Sequence, residues 1–437
     1  MATERFDAIV VGAGPAGSAA AYTMAQAGLN VVLFERGEYP GAKNVMGGVM
    51  YGQMLHEIVP GFWTEAPIER VIVEERVWLA TPTSAVSVGF RSAAPGGGPH
   101  DAPPNAFTVL RAQFDRWFAA QAETAGALLI TATTVEDVIK DGARVVGVRA
   151  GREGGDVFGD VVVICDGVNS FLVQRAGLQQ RPIEPAEMAL GVKEIIALPA
   201  QVINERFAVR DGEGVTVEVY GSITRGMAGY GFIYTNRESL SVGIGALISH
   251  LMRTKITPYD LLEGFKQHPF VARLIEGGDV QEYSAHAIPE GGYHAMPKLY
   301  GDGVLVAGDA AMMVNGLHRE GSNLAMTAGR LAGETVVRAK RRGSVSAASL
   351  GEYQALLEQS FVLQDLRKYR DLPALADRRP ELLEVYPRLV NEIVEEMLTV
   401  DGLSKRAKQK KIWRHLRAAR PPWQVLKDLY QGWKAIR

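Results

Sequence analysis

The first forty residues alternate between mostly apolar runs and a segment of helix-forming residues. Residues 6–11 and 31–34 are rich in apolar side chains, whereas residues 16–27 are dominated by alanine. Short continuous apolar runs are typical of strands buried on both faces, and alanine favours helix. The order β-α-β is the entry unit of a doubly wound sheet, so we predict such a sheet at the start of the chain.

The same reasoning extends along the chain. Residues 92–105 are rich in glycine and proline and predict a long surface loop. Further strands are predicted at 107–110, 128–133, 145–149, 161–164, 190–198, 214–220, 230–234, 241–247 and 304–308. Helices are predicted at 111–125, 258–276 and 322–341, and the residues after 349 are mostly helical.

These elements predict a mixed α/β (α+β) chain: a doubly wound, Rossmann-like dinucleotide-binding domain, an inserted antiparallel-sheet substrate domain and a helical C-terminal region. The nucleotide-binding domain is predicted to be discontinuous, from residues 1–80, 106–179 and 297–345. Residues 81–105 are predicted as a loop or insert, 180–296 as the substrate domain, and 346–437 as the helical C-terminal region with a basic tail.

The composition is that of an ordinary globular enzyme, with 437 residues, 47% of them hydrophobic and 22% charged. No apolar run approaches the roughly 18 to 20 residues needed to cross a bilayer, and Glu4 and Asp7 precede the first strand. We therefore expect a cytoplasmic protein, or one bound peripherally to the inner face of the cell membrane. The one cysteine, Cys165, cannot supply an internal disulfide or the usual four thiolates of an iron-sulfur cluster.

Positive charge is concentrated at the end of the chain. Residues 401–437 carry eleven Lys and Arg against two Asp, a net charge of +9, which leaves 36 basic and 47 acidic residues, or −11, elsewhere. Among these cations, Ile412, Trp413 and Leu416 lie on one side of a helical pattern. This suits an anionic membrane surface or an acidic protein, and a solvated helix without a partner remains the alternative. No nucleic-acid partner is expected.

A glycine fingerprint lies at the first turn of the β-α-β unit. Gly12, Gly14, Pro15, Ala16 and Gly17 follow the first strand and open the helix, and Glu35 with Arg36 ends the next strand. The glycines allow a tight turn, close approach of a pyrophosphate and close helix packing, while Glu35 can accept hydrogen bonds from ribose hydroxyls. The fingerprint alone does not separate FAD from NAD.

A second constellation, far along the chain, favours FAD. Gly308 and Asp309 end the strand 304–308, and Gly321, Ser322 and Asn323 open the helix that follows. An aspartate at a strand end can bind the ribityl chain, and the free N–H groups of a helix N-terminus can stabilise negative charge on a reduced flavin. Two such sites in one chain fit a long, non-covalently bound FAD.

A third turn, Asp166-Gly167 after the strand 161–164, completes a pattern that resembles a known class. Together the three turns resemble the FAD-dependent class that includes aromatic hydroxylases, geranylgeranyl reductases and quinone oxidoreductases. In that resemblance Arg111, at the start of its helix, matches an arginine near the FAD diphosphate.

Within this class the chain most resembles the electron-transfer-flavoprotein:quinone oxidoreductase family, in its bacterial FixC branch. The resemblance rests on segments 40–48, which contain Gly47 and Gly48, and on 265–269, 289–299 and 318–326. A quinone-contacting pair of glycines in the family is matched here by Gly229, but Tyr230 departs from the pattern. The cluster cysteines of the longer relatives are absent from this chain, as in the FixC branch.

The resemblance implies that FAD takes electrons from the subunits of an electron-transfer flavoprotein, which in some assemblies bifurcates electrons from NADH, and passes them to a membrane quinone. It also implies a multi-subunit complex in which a small ferredoxin-like subunit carries the iron-sulfur cluster. One alternative is a prenyl-lipid (geranylgeranyl) reductase, suggested by residues 229–234, and another is a non-enzymatic lipid-binding scaffold. His294, His318 and Glu320 are possible acid-base groups, yet structural roles are as reasonable, so no catalytic residue is assigned.

Overall fold

The computed structural model describes residues 5–43, 48–93 and 102–437. The strands are β1 (Arg5–Val11), β2 (Val31–Phe34), β3 (Val49–Tyr51), β4 (Arg70–Ala80), β5 (Ala85–Arg91), β6 (Ala106–Thr108), β7 (Leu128–Ile130), β8 (Val135–Asp141), β9 (Arg144–Ala150), β10 (Asp156–Ile164), β11 (Met188–Ala197), β12 (Glu213–Gly221), β13 (Gly229–Thr235), β14 (Ser239–Leu247), β15 (Asp279–Pro289), β16 (Tyr300–Gly301) and β17 (Val304–Val306).

Helices connect these strands and make up most of the last ninety residues. They are α1 (Pro15–Gln26), α2 (Gly52–His56), α3 (Arg111–Thr124), α4 (Phe171–Arg175), α5 (Ala200–Phe207), α6 (Ile248–Thr254), α7 (Pro258–Lys266), α8 (Pro269–Ile275), α9 (Gly292–Ala295), α10 (Ser322–Arg341), α11 (Ala347–Leu350), α12 (Glu352–Gln359), α13 (Phe361–Lys368), α14 (Leu372–Arg378), α15 (Leu382–Leu398), α16 (Lys405–Ala419) and α17 (Pro422–Ala435).

The chain folds into two compact units, each made of three separate segments. Unit 1 comprises Met1–Val71, Ala94–Glu187 and His286–Arg367. Its central sheet has the order β16-β17-β10-β1-β2-β7, in which β17, β10, β1, β2 and β7 run parallel. The predicted doubly wound sheet is therefore confirmed, and a β8–β9 hairpin extends it beside β10.

In unit 1, helices α1 and α10 pack closely through two glycines of α10. A Cβ on Gly329 of α10 would lie 2.0 Å from the carbonyl oxygen of Ala16 in α1, and one on Gly333 would lie 2.8 Å from Cβ of Thr23. The two backbones therefore approach closely enough that neither position accepts a side chain. This contact fixes the start of α1 beside the turn that follows β17.

Unit 2 comprises Ile72–Ala93, Met188–Ala285 and Lys368–Arg437. Its sheet has the order β15-β11-β14-β13-β12-β4, with β5 paired to β4. The pairs β11–β14, β12–β13 and β13–β14 are antiparallel, as predicted for the substrate domain. One face packs on a core that includes Val217, Ile233 and Phe265, where α7 covers the sheet.

The predicted boundaries differ from these units in several places. Residues 72–80 belong to unit 2, and residues 180–187 and 286–296 belong to unit 1. Part of the predicted loop 81–105 is the strand β5, whose hairpin with β4 belongs to unit 2 because β4 neighbours β12. The predicted C-terminal region 346–437 is divided. Its first part joins unit 1, where the hydroxyl of Tyr353 donates to the carbonyl of Val306 at 3.1 Å. Its later part joins unit 2, where the amide of Asn391 donates to the carbonyl of Leu79 at 2.7 Å.

Candidate functional site

The turn after β1 is built so that no side chain can enter it. Gly12 has φ +99, and a Cβ there would lie 2.3 Å from the carbonyl oxygen of Cys165 at the end of β10. A Cβ on Gly17 would lie 1.8 Å from the carbonyl oxygen of Gly12. Gly14 is the N-cap of α1 without a side-chain cap, and Pro15 begins the helix with Ala16 buried behind it. The turn therefore leaves the backbone N–H groups at the start of α1 free to bind an anion.

Glu35, at the end of β2, supports this turn from one side. One carboxylate oxygen accepts the N–H of Ala13 at 3.1 Å, and the other accepts the N–H of Gly37 at 2.7 Å. Burial raises the pKa of Glu35, and these two hydrogen bonds oppose the rise. Each carboxylate oxygen keeps a further lone pair, so Glu35 can also accept from ribose hydroxyls as predicted.

Asp166 and Gly167 follow β10 on the adjacent strand end. Burial raises the pKa of Asp166 to about 6, although Ser170 and backbone N–H groups bind its carboxylate. Its Oδ1 is buried and has no hydrogen-bond partner among the described residues. Gly167 has φ +84, which favours glycine at this turn. An orphaned buried oxygen at a strand end requires a partner, which a bound cofactor can supply.

Asp309 occupies the equivalent position after β17. Gly308 has φ +68, and burial raises the pKa of Asp309 to about 6, with Arg111 opposing the rise. Since β17, β10 and β1 are consecutive parallel neighbours, the turns after Gly12, Asp166 and Asp309 meet at one edge of the sheet. The three turns that the sequence separates by up to about 300 residues are thus brought together, where ligands bind in doubly wound folds.

The N-terminus of α10 adds a second set of free donors. Gly321 is its N-cap, again without a side-chain cap, and Ser322 and Asn323 form the first turn. Oδ1 of Asn323 is buried and has no partner among the described residues, while its side chain also binds Glu320. The positive end of this helix dipole and the orphaned amide oxygen are suited to a polar, electron-accepting ring.

Two further basic residues lie near these turns. Arg111 makes a two-point ion pair with Asp115, with both N–O distances 2.8 Å, and only 8% of its side chain is exposed. The charges of Arg111 and exposed Arg36 both act on His286, whose pKa falls to about 4, mainly because of burial. His286 is therefore neutral at neutral pH. The sequence singled out neither the Arg111–Asp115 pairing nor His286, although the spacing of four in a helix is a signal for the ion pair.

Glu290 is a half-buried acid that sequence reasoning missed. Burial raises its pKa to about 7. A Cβ on Gly316 would lie 2.3 Å from a carboxylate oxygen of Glu290, so the acid lies directly against the turn that precedes α10. That turn is closed by two backbone hydrogen bonds between Asn315 and Glu320. The only feature of the sequence that pointed to Glu290 was its place in the segment 289–299.

The candidate quinone segment lies in unit 2, at the start of β13. A Cβ on Gly229 would lie 2.0 Å from the carbonyl oxygen of Gly245 on β14, so close strand packing by itself requires glycine there. Tyr230 stacks on Tyr220 with ring centroids 5.7 Å apart. A large residue at position 229 would therefore disturb the sheet, and Tyr230 is the better position at which to test substrate contact.

Of the two predicted glycines of segment 40–48, the structure describes one. Gly47 lies outside the described residues, whereas Gly48 is buried and its carbonyl accepts the N–H of Val109 at 2.9 Å.

None of the described helices is long and apolar enough to span a bilayer. The described part of unit 1 therefore offers a turn suited to a diphosphate, an acid suited to a ribose, two aspartates with raised pKa values and a helix N-terminus. These groups fit FAD, which would supply the electron-accepting and electron-donating chemistry when bound.

Comparison with known proteins agrees with this assignment. The family model described as FAD dependent oxidoreductase matches residues 7–170, and the model described as ETF-QO/FixC family C-terminal domain matches residues 372–437. Protein FixC of Azorhizobium caulinodans is 47% identical over 440 residues, covering 100% of both chains. Protein FixC of Bradyrhizobium diazoefficiens is 49% identical over 413 residues, covering 94% of both.

A solved structure shares the fold at much lower identity. A geranylgeranyl bacteriochlorophyll reductase-like protein from Thermoplasma acidophilum matches with a TM-score of 0.72 and 20% identity, covering 95% of this chain and 100% of that one. At this identity the likeness establishes the fold alone.

Proposed function

Because this chain belongs to the FixC branch of the ETF-QO/FixC family and is an FAD-dependent oxidoreductase, we propose that it takes electrons from an electron-transfer flavoprotein and reduces a membrane quinone. The observation that carries the proposal is the identity of 47–49% to FixC proteins over essentially the whole chain. The donor flavoprotein, the quinone and a separate iron-sulfur subunit are parts of this proposal.

The chemistry of the described residues supports it. A flavin can take electrons one at a time and deliver two with protons to a quinone, and the protein positions the ring and tunes its charge. The uncapped N-terminus of α10 is suited to stabilise a negative reduced ring. No side chain is required as a nucleophile, which agrees with a site made of backbone donors and buried polar groups.

Reoxidation of the reduced flavin by a water-soluble, short-chain quinone tests the acceptor. Tyr230→Ala is expected to slow this reoxidation at least about tenfold while FAD content and reduction of an artificial dye are kept. Tyr259→Ala is the matched control, because Tyr259 is an exposed tyrosine of unit 2, 54% exposed, outside β13. Equal rates in the Tyr230 variant and the parent would remove this segment from the quinone site, and a parent that reduces no quinone would contradict the proposal.

A prenyl-lipid reductase is the second candidate, favoured by the fold shared with the Thermoplasma acidophilum protein. In that reaction the reduced flavin would deliver a hydride to a carbon–carbon double bond and a proton would complete it. Mass spectrometry of a prenyl lipid incubated with the reduced protein separates the two candidates. A gain of two hydrogens in the lipid would favour the reductase, whereas a hydroquinone product with an unchanged isoprenoid chain would favour the quinone reaction.

A further inference from the structure

The last helix, α17, presents its apolar side to solvent. Six large apolar side chains of this segment are between 40% and 68% exposed: Trp423, Leu426, Leu429, Tyr430 and Trp433 on the helix and Ile436 at its C-cap. In a helix of an ordinary globular protein these residues would face the core. Contiguous exposed apolar surface on a helix marks a contact site for another molecule.

These residues share one face of the helix. Trp423, Leu426, Tyr430 and Trp433 are spaced by three, four and three positions, so their side chains form a single stripe. Lys427 and Lys434 each come four positions after a member of the stripe, Trp423 and Tyr430 respectively, so they lie along its edge. The guanidinium of Arg437 lies 5.0 Å from the ring centroid of Trp433. The exposed face is thus aromatic and aliphatic, with cations along its border.

The opposite face of α17 is fixed by an ion-pair network around Asp428, its one acid. Asp428 is buried and pairs with Arg379 at 3.0 Å and with Arg420 Nε at 2.7 Å. The hydroxyl of Tyr386 donates to the same carboxylate at 2.9 Å. Turning the apolar stripe inward would separate Asp428 from these partners. The arginines would then lose their carboxylate partner, which costs free energy of folding. The helix is therefore held with its polar residue inside and its apolar face outside.

The preceding basic helix, α16, does not offer an equivalent surface. Lys408 is only 1% exposed, and its ammonium donates to the carbonyls of Glu396 and Thr399 at 3.0 and 2.7 Å. Lys411 pairs with Glu396 at 2.6 Å. Two cations of the segment that the sequence predicted as a docking element therefore bind α15. Ile412 and Leu416 are only partly exposed, so Trp413, at 60% exposure, is the one large apolar side chain that α16 presents to solvent.

We propose that the exposed face of α17 lies on the surface of an anionic lipid bilayer, with its aromatic rings at the headgroup level. Tryptophan and tyrosine prefer this interface because their rings are apolar at one end and can hydrogen-bond at the other. Lys427, Lys434 and Arg437 are placed to meet lipid phosphates. A membrane quinone would give this contact its purpose, so the inference deepens the proposed function, but its evidence is the surface itself.

Flotation of the full FAD-loaded chain with vesicles tests this. The vesicles contain phosphatidylcholine with or without phosphatidylglycerol. The triple variant Trp423→Gln/Leu426→Gln/Trp433→Gln is expected to lower the partition coefficient on anionic vesicles at least about tenfold. Lys427→Gln/Lys434→Gln is expected to lower it by about tenfold on anionic vesicles at low salt, and to have little effect on neutral ones.

The matched control is Val88→Gln/Phe90→Gln on strand β5. It removes two apolar side chains whose exposed fractions are 63% and 74%. It is expected to partition like the parent. Parent-like flotation of the triple variant, or a parent that does not float at low salt, would overturn the inference. So would a parent that is dimeric in solution and becomes monomeric in the triple variant, because a second copy would then cover this face.

Reduction of a water-soluble quinone distinguishes failure of this inference from failure of the proposed function. The triple variant should reduce that quinone as fast as the parent, since α17 is not needed to reach a dissolved substrate. A parent that floats but reduces no quinone would leave the membrane contact standing and contradict the proposed function.

Discussion

The backbone N–H of Ala228 donates to Nδ1 of His250 at 2.9 Å, and His250 is only 1% exposed. Because Nδ1 accepts this bond, Nε2 carries the proton, and it lies 3.1 Å from both the carbonyl and the carboxylate of Asp377. Ala228 directly precedes the proposed quinone segment, so a histidine of α6 and an aspartate of α14 together hold the entry to β13 in place.

Substitution of His250 by asparagine or glutamine tests its bond to Ala228 separately from its bond to Asp377. His250→Asn can keep an acceptor near the position of Nδ1, while His250→Gln reaches only toward Asp377. We expect the Ala228 amide to exchange its hydrogen about fivefold faster in the Gln variant, as for loss of a bond worth about 1 kcal/mol, and at nearly the parent rate in the Asn variant. Exchange measured by NMR or mass spectrometry checks this. Equal exchange in both variants would show that this bond does not hold the segment.

Gly14→Val should remove FAD without unfolding unit 1. The backbone of Gly14 has φ −79 and ψ −173, a conformation that valine adopts readily, so the substitution introduces no backbone strain. The new side chain would occupy the space next to the free N–H groups of α1, and we expect FAD affinity to fall at least about tenfold. Flavin content per chain after purification is the measurement. Gly89→Val, in exposed strand β5, is the control. A Gly14 variant that retains stoichiometric FAD would show that the diphosphate does not bind at this turn.

Glu290→Gln should change stability in a pH-dependent way. The pKa of Glu290 is raised from 4.5 to about 7 by burial, so the folded state holds a proton that the unfolded state has released between about pH 4.5 and pH 7. The protonated Glu290 carboxyl therefore contributes its full share of folding stability below the unfolded-state pKa of about 4.5, and this share is lost as pH rises through about 7. The neutral glutamine should therefore be about as stable as the parent at pH 4 and gain stability relative to it by on the order of 2 kcal/mol at pH 8.

Denaturant unfolding of parent and variant at the two pH values measures this difference. Glu282→Gln is a suitable control because Glu282 is exposed on β15, and it should shift stability little at either pH. An equal effect of Glu290→Gln at pH 4 and pH 8 would contradict an acid with a raised pKa at this position.

Lys408→Met should loosen the contact between α15 and α16. The ammonium of Lys408 binds two backbone carbonyls and lies 3.0 Å from the carboxylate of Asp401, so its removal leaves these partly buried acceptors without their common donor. We expect a loss of about 2 kcal/mol and faster proteolysis of α16, measured by limited digestion and thermal unfolding. Lys410→Met, an exposed neighbour on the same helix, should stay within about 0.5 kcal/mol of the parent. Identical digestion patterns for both variants would mean that Lys408 contributes no more than a surface lysine.

The sequence by itself determined the local elements and the chemistry that depends on them. The β1-α1-β2 unit, the four antiparallel strands β11 to β14 and helix α10 were all predicted because their apolar periodicity and glycine positions act over a few residues. Gly12, Glu35 and Asp309 were predicted as cofactor-binding residues for the same reason, since each follows a strand or opens a helix.

Only the tertiary structure decided relationships between residues far apart in the chain. Three features depend on which strands and turns become neighbours. They are the side-chain oxygens of Asp166 and Asn323 that lack a hydrogen-bond partner among the described residues, the contact of Glu290 with Gly316, and the requirement for glycine at position 229 opposite Gly245. The direction of α17 depends in the same way on Asp428, whose partners Arg379 and Tyr386 come from other helices. Helical periodicity indicates that α17 has an apolar face. Burial of the one acid beside those partners is the physical reason that this face is turned to solvent.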